Sequence, residues 1–125
     1  MRTPKILILI VSFVFIFSCE NNTEAFIKNI TVQEMTTLVN EQEVQILDVR
    51  TDQEVSHGTI PQAVHIDYYS PSFEQDVAKL DKDQPVLVYC KAGGRSSSGA
   101  TKMKKLGFKK IYNLRHGYVS WIKNK

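Results

Sequence analysis

Cysteine is scarce in this chain: 125 residues hold two, Cys19 and Cys90, with no CxxC pair, no histidine-rich tract and no paired metal-ligand spacing. That scarcity rules out a disulfide scaffold and points to no structural metal. No apolar run reaches the about 20 residues that a membrane-crossing helix needs. The longest, residues 6–17, has twelve positions and is interrupted only by Ser12. Acidic residues are missing from the end of the chain. All 13 Asp and Glu lie at or before Asp83, and ten Lys and Arg follow it. A lopsided field of this kind favours small anionic molecules near the second half, although a solvated basic surface is its ordinary meaning. There are no internal repeats and no low-complexity segments. What remains, 42% hydrophobic and 23% charged, has the balance of one globular domain, and the length leaves no room for two of ordinary size.

The amino terminus has its own logic. Arg2 and Lys5 precede the apolar run, a basic head before an apolar segment, which is the layout of an export signal. Ile16-Phe17-Ser18-Cys19 resembles the lipobox of bacterial lipoproteins, in which the chain is cut before the cysteine and its sulfur is lipidated. The expectation is a signal peptide over residues 1–18, lipidation at Cys19, a polar tether over 19–25 and a folded domain over 26–125. The mature chain would have 107 residues and a net charge of +1 in place of +3. It would face the periplasm from the cell envelope, held at a membrane by lipid, a location that argues against a nucleic-acid partner. With Cys19 lipidated, Cys90 is the one free thiol and no intramolecular disulfide can form.

Along the domain, strands and helices alternate. Residues 26–30 read as an edge strand. Thr31 and Glu34 have the spacing of a capping box, and Val32, Met35, Leu38 and Val39 recur on one face of the helix that follows. Residues 44–49 read as a buried strand ending in the charged pair Asp48 and Arg50. Gly58, Pro61, Gln62 and Ala63 mark a loop, 64–66 a short strand and 72–80 a short helix. Residues 85–89 form the clearest strand, apolar and β-branched. A helix over 95–106 stops at Gly107, a last strand occupies 110–114, and 118–122 make a final helical turn or two. Strands apolar on both faces imply an α/β fold, a doubly wound parallel sheet of about five strands with helices on both sides. Ligands of such sheets bind beyond the carboxyl ends of the strands, where Cys90 stands.

Cys90-Lys91-Ala92-Gly93-Gly94-Arg95-Ser96 carries the chemistry. The strand delivers a sulfur to the sheet edge. Two glycines let the backbone curl until successive N–H groups point inward, and the next helix offers its unpaired first amides to the same point. A thiol there is expected to ionise easily, and a bound oxyanion would meet the same donors. Arg95 is expected to add a two-pronged donor and Ser96 a hydroxyl. A lone cysteine at a strand end is otherwise a small buried hydrophobe. The glycines, the arginine and the helix make it a nucleophile. Asp48 and Arg50 read as braces for the loops. Lys91 either attracts anions or is simply solvated, His57, His65 and His116 read as surface or core residues, and Trp121 reads as core.

The loop resembles that of the rhodanese family: a cysteine, four residues, an arginine and a serine, after an apolar strand. Ile46-Leu47-Asp48-Val49-Arg50 with Glu54, Gly58, Ile60, Pro61 and Ala63 is similar to the family's first signature. Val64-His65-Ile66 matches the next strand, and Asn113-Leu114 with Gly117 and Trp121 the closing segment. The likeness spans about residues 27–123. The sequence departs from the family where Thr59 stands for the usual His, Gln62 for Gly, and His116-Gly117 for a Gly pair.

The resemblance implies a rhodanese-like single domain and a sulfurtransferase that needs no cofactor. Its Cys90 would take sulfane sulfur from a small anionic donor such as thiosulfate and pass it as a persulfide to a thiol or cyanide. The competing readings are a non-catalytic rhodanese binding module, a persulfide carrier for a protein partner, and a cysteine-loop phosphatase or arsenate reductase. That last class has five residues between cysteine and arginine, against four here.

Overall fold

The computed structural model describes residues 24–125. The expected signal peptide, Cys19 and all but the last two residues of the tether therefore lie outside the described residues. Five strands form a single parallel sheet in the order β1-β5-β4-β2-β3: β1 is Phe26–Ile30, β2 Gln45–Asp48, β3 Val64–His65, β4 Val86–Tyr89 and β5 Lys110–Leu114. The helices are α1 (Val32–Glu41), α2 (Asp52–Val55), α3 (Phe73–Val77), α4 (Gly94–Lys105) and α5 (Gly117–Lys123).

β4 shows why the sheet is covered on both sides. Its four residues are all buried. Val86, Val88 and then Cys90 join Leu47, Phe73, Ala100, Met103 and Ile111 in one core. The alternate residues Leu87 and Tyr89 join Ile30, Met35, Ile46 and Leu114 in the other. A strand with period-two side chains serves two cores only if both faces are packed.

Thr31 opens α1 with both bonds of the capping box: its hydroxyl accepts the Glu34 N–H at 3.2 Å, and the Glu34 carboxylate accepts its N–H at 2.8 Å. Val32 and Met35 are buried and Leu38 packs on their core, whereas Val39, expected on the same face, turns toward solvent. Other bounds also differ. α4 starts at Gly94, one residue earlier than expected. α3 ends at Val77, because the chain then turns and brings Leu80 back against the core. α2 was not anticipated. It is a single turn in which Thr51 and Glu54 repeat the capping box of α1.

Candidate active site

Because the strands are parallel, their carboxyl ends share one edge, and three connections meet there. Cys90 leaves β4 with 1% of its surface exposed. The loop then climbs to Gly93, whose left-handed backbone (φ 110°) caps α4, and α4 runs back along the sheet. Of the two glycines expected to curl the loop, only Gly93 needs this freedom. Gly94 is the first residue of α4, and a Cβ added there would meet nothing within 4 Å.

Donors converge on the sulfur. The Gly93 N–H lies 3.0 Å from Cys90 Sγ. The hydroxyl of buried Ser96 lies 3.4 Å from Sγ and 3.2 Å from the Gly93 carbonyl. Burial pushes the Cys90 thiol up, but the Ser96 hydroxyl and the amides of Ser96, Gly93 and Ala92 outweigh it, and the thiol ionises below its ordinary range. Lys91 and Ala92 are exposed at the loop's tip.

α5 fastens the loop from the far side. The Tyr118 N–H donates to the Cys90 carbonyl at 2.8 Å and the Val119 N–H to the Lys91 carbonyl at 3.1 Å. This approach leaves no room for a side chain on Gly117, whose Cβ would collide with both carbonyl groups. His116 in front of it has φ 59°, and Gln62 has φ 67°. Both are left-handed, and both occupy positions where the family pattern has glycine.

Asp48 and Arg50 lie at the end of β2, nearly inaccessible to solvent. Asp48 takes the Arg50 guanidinium at 2.6 to 3.1 Å and the Tyr89 hydroxyl at 2.6 Å, and that hydroxyl in turn accepts the Ile60 N–H at 3.1 Å. Arg50 also donates to the Gly58 carbonyl at 2.7 Å and lies 4.0 Å from the Tyr118 ring centre. The pair thus ties β2, β4, the 58–60 loop and α5 together beneath the site. Sequence reasoning missed Tyr89, since a tyrosine in an apolar strand gives no sign that its hydroxyl has a buried partner.

Arg95 departs from expectation. Its two terminal nitrogens lie 2.7 Å from the two oxygens of Glu54, so the fork expected to face a donor is already filled. The carboxylate also accepts the Thr51 N–H at 2.9 Å and the Thr51 hydroxyl at 3.0 Å. The Arg95 bonds, ahead of the Thr51 bonds, hold Glu54 at a pKa of about 2. Arg95 is raised, first by Glu54 and also by the nearby Cys90 charge. A hollow of about 250 Å³ opens beside the loop between Lys91, Glu54, Tyr118, Val119 and Ile122. Larger hollows of about 390, 550 and 570 Å³ lie on other faces, and neither Cys90 nor its loop lines any of them. Among the described residues no group of three His, Cys, Asp or Glu side chains is placed to hold a metal ion.

The sequence profile of the rhodanese-like domain matches residues 31–124. The chain belongs to the rhodanese-like domain family. Among curated relatives of this rhodanese-like chain, the thiosulfate sulfurtransferase GlpE of Coxiella burnetii is 34% identical over 94 residues, 75% of this chain and 86% of the relative. A sulfurtransferase of Allochromatium vinosum is 28% identical over 87 residues, covering 70% and 79%. A rhodanese-like domain protein of Staphylococcus aureus superposes with a TM-score of 0.67 at 29% identity, covering 75% of this chain and 90% of that one. A rhodanese-related protein of Thermoplasma volcanium shares the fold with a TM-score of 0.69 at 24% identity, covering 78% and 92%.

Proposed function

We propose that this protein is a sulfurtransferase that carries sulfane sulfur as a persulfide on Cys90 and works at the cell envelope on a lipid anchor at Cys19. The observation that carries the chemistry is the convergence of the Gly93 amide and the Ser96 hydroxyl on a buried sulfur whose ionisation they favour. In the first half-reaction the Cys90 thiolate attacks the outer sulfur of thiosulfate or a similar donor. A new S–S bond forms, the old one breaks, and sulfite leaves with the electron pair. In the second, a thiolate or cyanide attacks the outer persulfide sulfur. It departs as a new persulfide or as thiocyanate, and the Cys90 thiolate returns. No net oxidation occurs and no cofactor enters. The four-residue spacing between Cys90 and Arg95 and the sulfurtransferases among the relatives support this reading over phosphoryl transfer. Ile16-Phe17-Ser18-Cys19 supports the anchor.

The test is direct. Protein given thiosulfate and then cyanide should gain one sulfur atom on the Cys90 peptide by mass and release thiocyanate, and Cys90→Ser should do neither. Phosphomonoester turnover with no thiocyanate formed would overturn the proposal.

A further inference from the structure

Glu54 is the acid paired with the arginine of the Cys90 loop. It closes the capping box in the first turn of α2, accepts both terminal nitrogens of Arg95 and both Thr51 donors, and keeps about a quarter of its side chain exposed. Arg95 is the only cation inside the Cys90 loop other than exposed Lys91. Its side chain is 19% exposed, so the pair is partly sheltered from solvent screening. We propose that Glu54 sets the donor preference of the site. By filling the fork of Arg95 and cancelling its charge, it favours singly charged sulfane-sulfur donors, organic persulfides or thiosulfonates, over dianionic thiosulfate.

The physical argument is one of charge. A donor that reaches the Cys90 thiolate brings negative charge to negative charge. An unpaired Arg95 would compensate a dianion better than a monoanion, because the attraction scales with the donor's charge. Paired with Glu54, it compensates neither, and the dianion loses more. The loop amides remain, and they serve any anion. Glu54 therefore acts through Arg95 as a positioning and specificity-determining residue. The inference rests on the sulfurtransferase reading.

Glu54→Gln, which keeps size and can still accept from Thr51, tests it in the full chain. Persulfide formation on Cys90 is measured with thiosulfate and with the monoanion benzenethiosulfonate, which delivers the same outer sulfur and leaves as a sulfinate. The expected result is a KM for thiosulfate about tenfold lower and one for benzenethiosulfonate about threefold lower, with kcat little changed, as one unit of removed charge acting on −2 and on −1 requires. Glu54→Asp, which keeps the charge, should retain the wild-type ratio of the two. An unchanged ratio in Glu54→Gln, or equal effects of Gln and Asp that track the melting temperature, would overturn the proposal and leave Glu54 a brace. A probe without turnover separates this from failure of the sulfurtransferase reading. Alkylation of Cys90, followed on its own peptide, compares anionic iodoacetate with neutral iodoacetamide. Glu54→Gln should raise that rate ratio about threefold at low salt and less at high salt. If neither donor loads the wild type, the enzymatic reading falls, while the alkylation ratio alone still upholds or overturns the role of Glu54.

Discussion

Ser96 is the residue on which Cys90 most depends. Its hydroxyl has one proton and two acceptors within reach, the Gly93 carbonyl at 3.2 Å and Cys90 Sγ at 3.4 Å. While the sulfur is a neutral thiol, the shorter carbonyl bond is the better one. When the sulfur ionises, rotating the hydroxyl toward it gains a charge-assisted bond. Ser96→Ala removes that option without adding volume. The Cys90 pKa should then move upward, because burial continues to oppose the charge while one of the donors that outweigh it is gone. The pH profile of Cys90 alkylation by iodoacetamide, followed by mass, should shift to higher pH, and persulfide loading near neutrality should slow. An unmoved profile would mean that the backbone amides alone set the ionisation. Stability should change by no more than about 1 kcal/mol, the worth of an ordinary hydrogen bond.

α2 makes the corresponding argument for an element. Four residues cannot form a stable helix by themselves, and this turn is held by its capping box and by Arg95 reaching across 41 positions of sequence. Glu54 ionises near pH 2 in the folded protein against an ordinary 4.5. Its pKa is lowered by folding, so its stabilisation is complete above about pH 4.5 and is lost as pH falls through the window down to about 2. After allowance for partial exposure the loss is roughly 2 kcal/mol. Melting temperatures measured from pH 6 to pH 2.5 should fall less steeply in Glu54→Gln than in the wild type. Parallel slopes would mean that the pair contributes nothing to stability.

The same element shows where sequence reading stops. The Thr31 box was legible because an apolar stripe follows it. The identical Thr51 box was not, because α2 buries no residue and so leaves no periodic pattern. β4 and the Cys90 loop could be read because their cause is local: an apolar run, then glycines, then a helix. The pairing of Arg95 with Glu54 and the hydroxyl bond from Tyr89 to Asp48 join residues 41 apart in sequence, and only the strand order makes them neighbours. Gln62 and His116 were legible as departures from the family. That both hold left-handed backbone where glycine is usual, at a cost of about 1 kcal/mol each, emerged only from their dihedral angles.

At the scale of the whole molecule, part of the lopsided charge is paired within the fold. Arg95 with Glu54, Lys102 with Glu74 and Lys109 with Asp83 each join the basic end of the chain to its acidic part. The parallel sheet also separates two ends of the molecule. The chain enters at Phe26, whose N–H donates to the Lys109 carbonyl at the amino edge of the sheet, and Phe26 pairs with Lys110. Cys90 lies past the carboxyl end of β4, about 15 Å away along the strands. If the proposed lipid on Cys19 holds the domain by the edge at which Phe26 enters, the Cys90 loop, with Lys91 at its tip, faces the aqueous side. Anchorage and chemistry should then be separable. Cys19→Ala should abolish fatty-acid labelling and shift the protein from the membrane to the soluble fraction, while thiocyanate formation per mole of protein stays within about twofold of wild type, since the substitution removes no member of the Cys90 loop or its braces. In the anchored protein, a charged thiol reagent that cannot cross membranes should reach Cys90 as fast as it does in the released variant. Retention on the membrane without Cys19 would remove the lipid from the account. Faster labelling of Cys90 on release would mean that the bilayer covers the active edge and that the tether folds back along the domain.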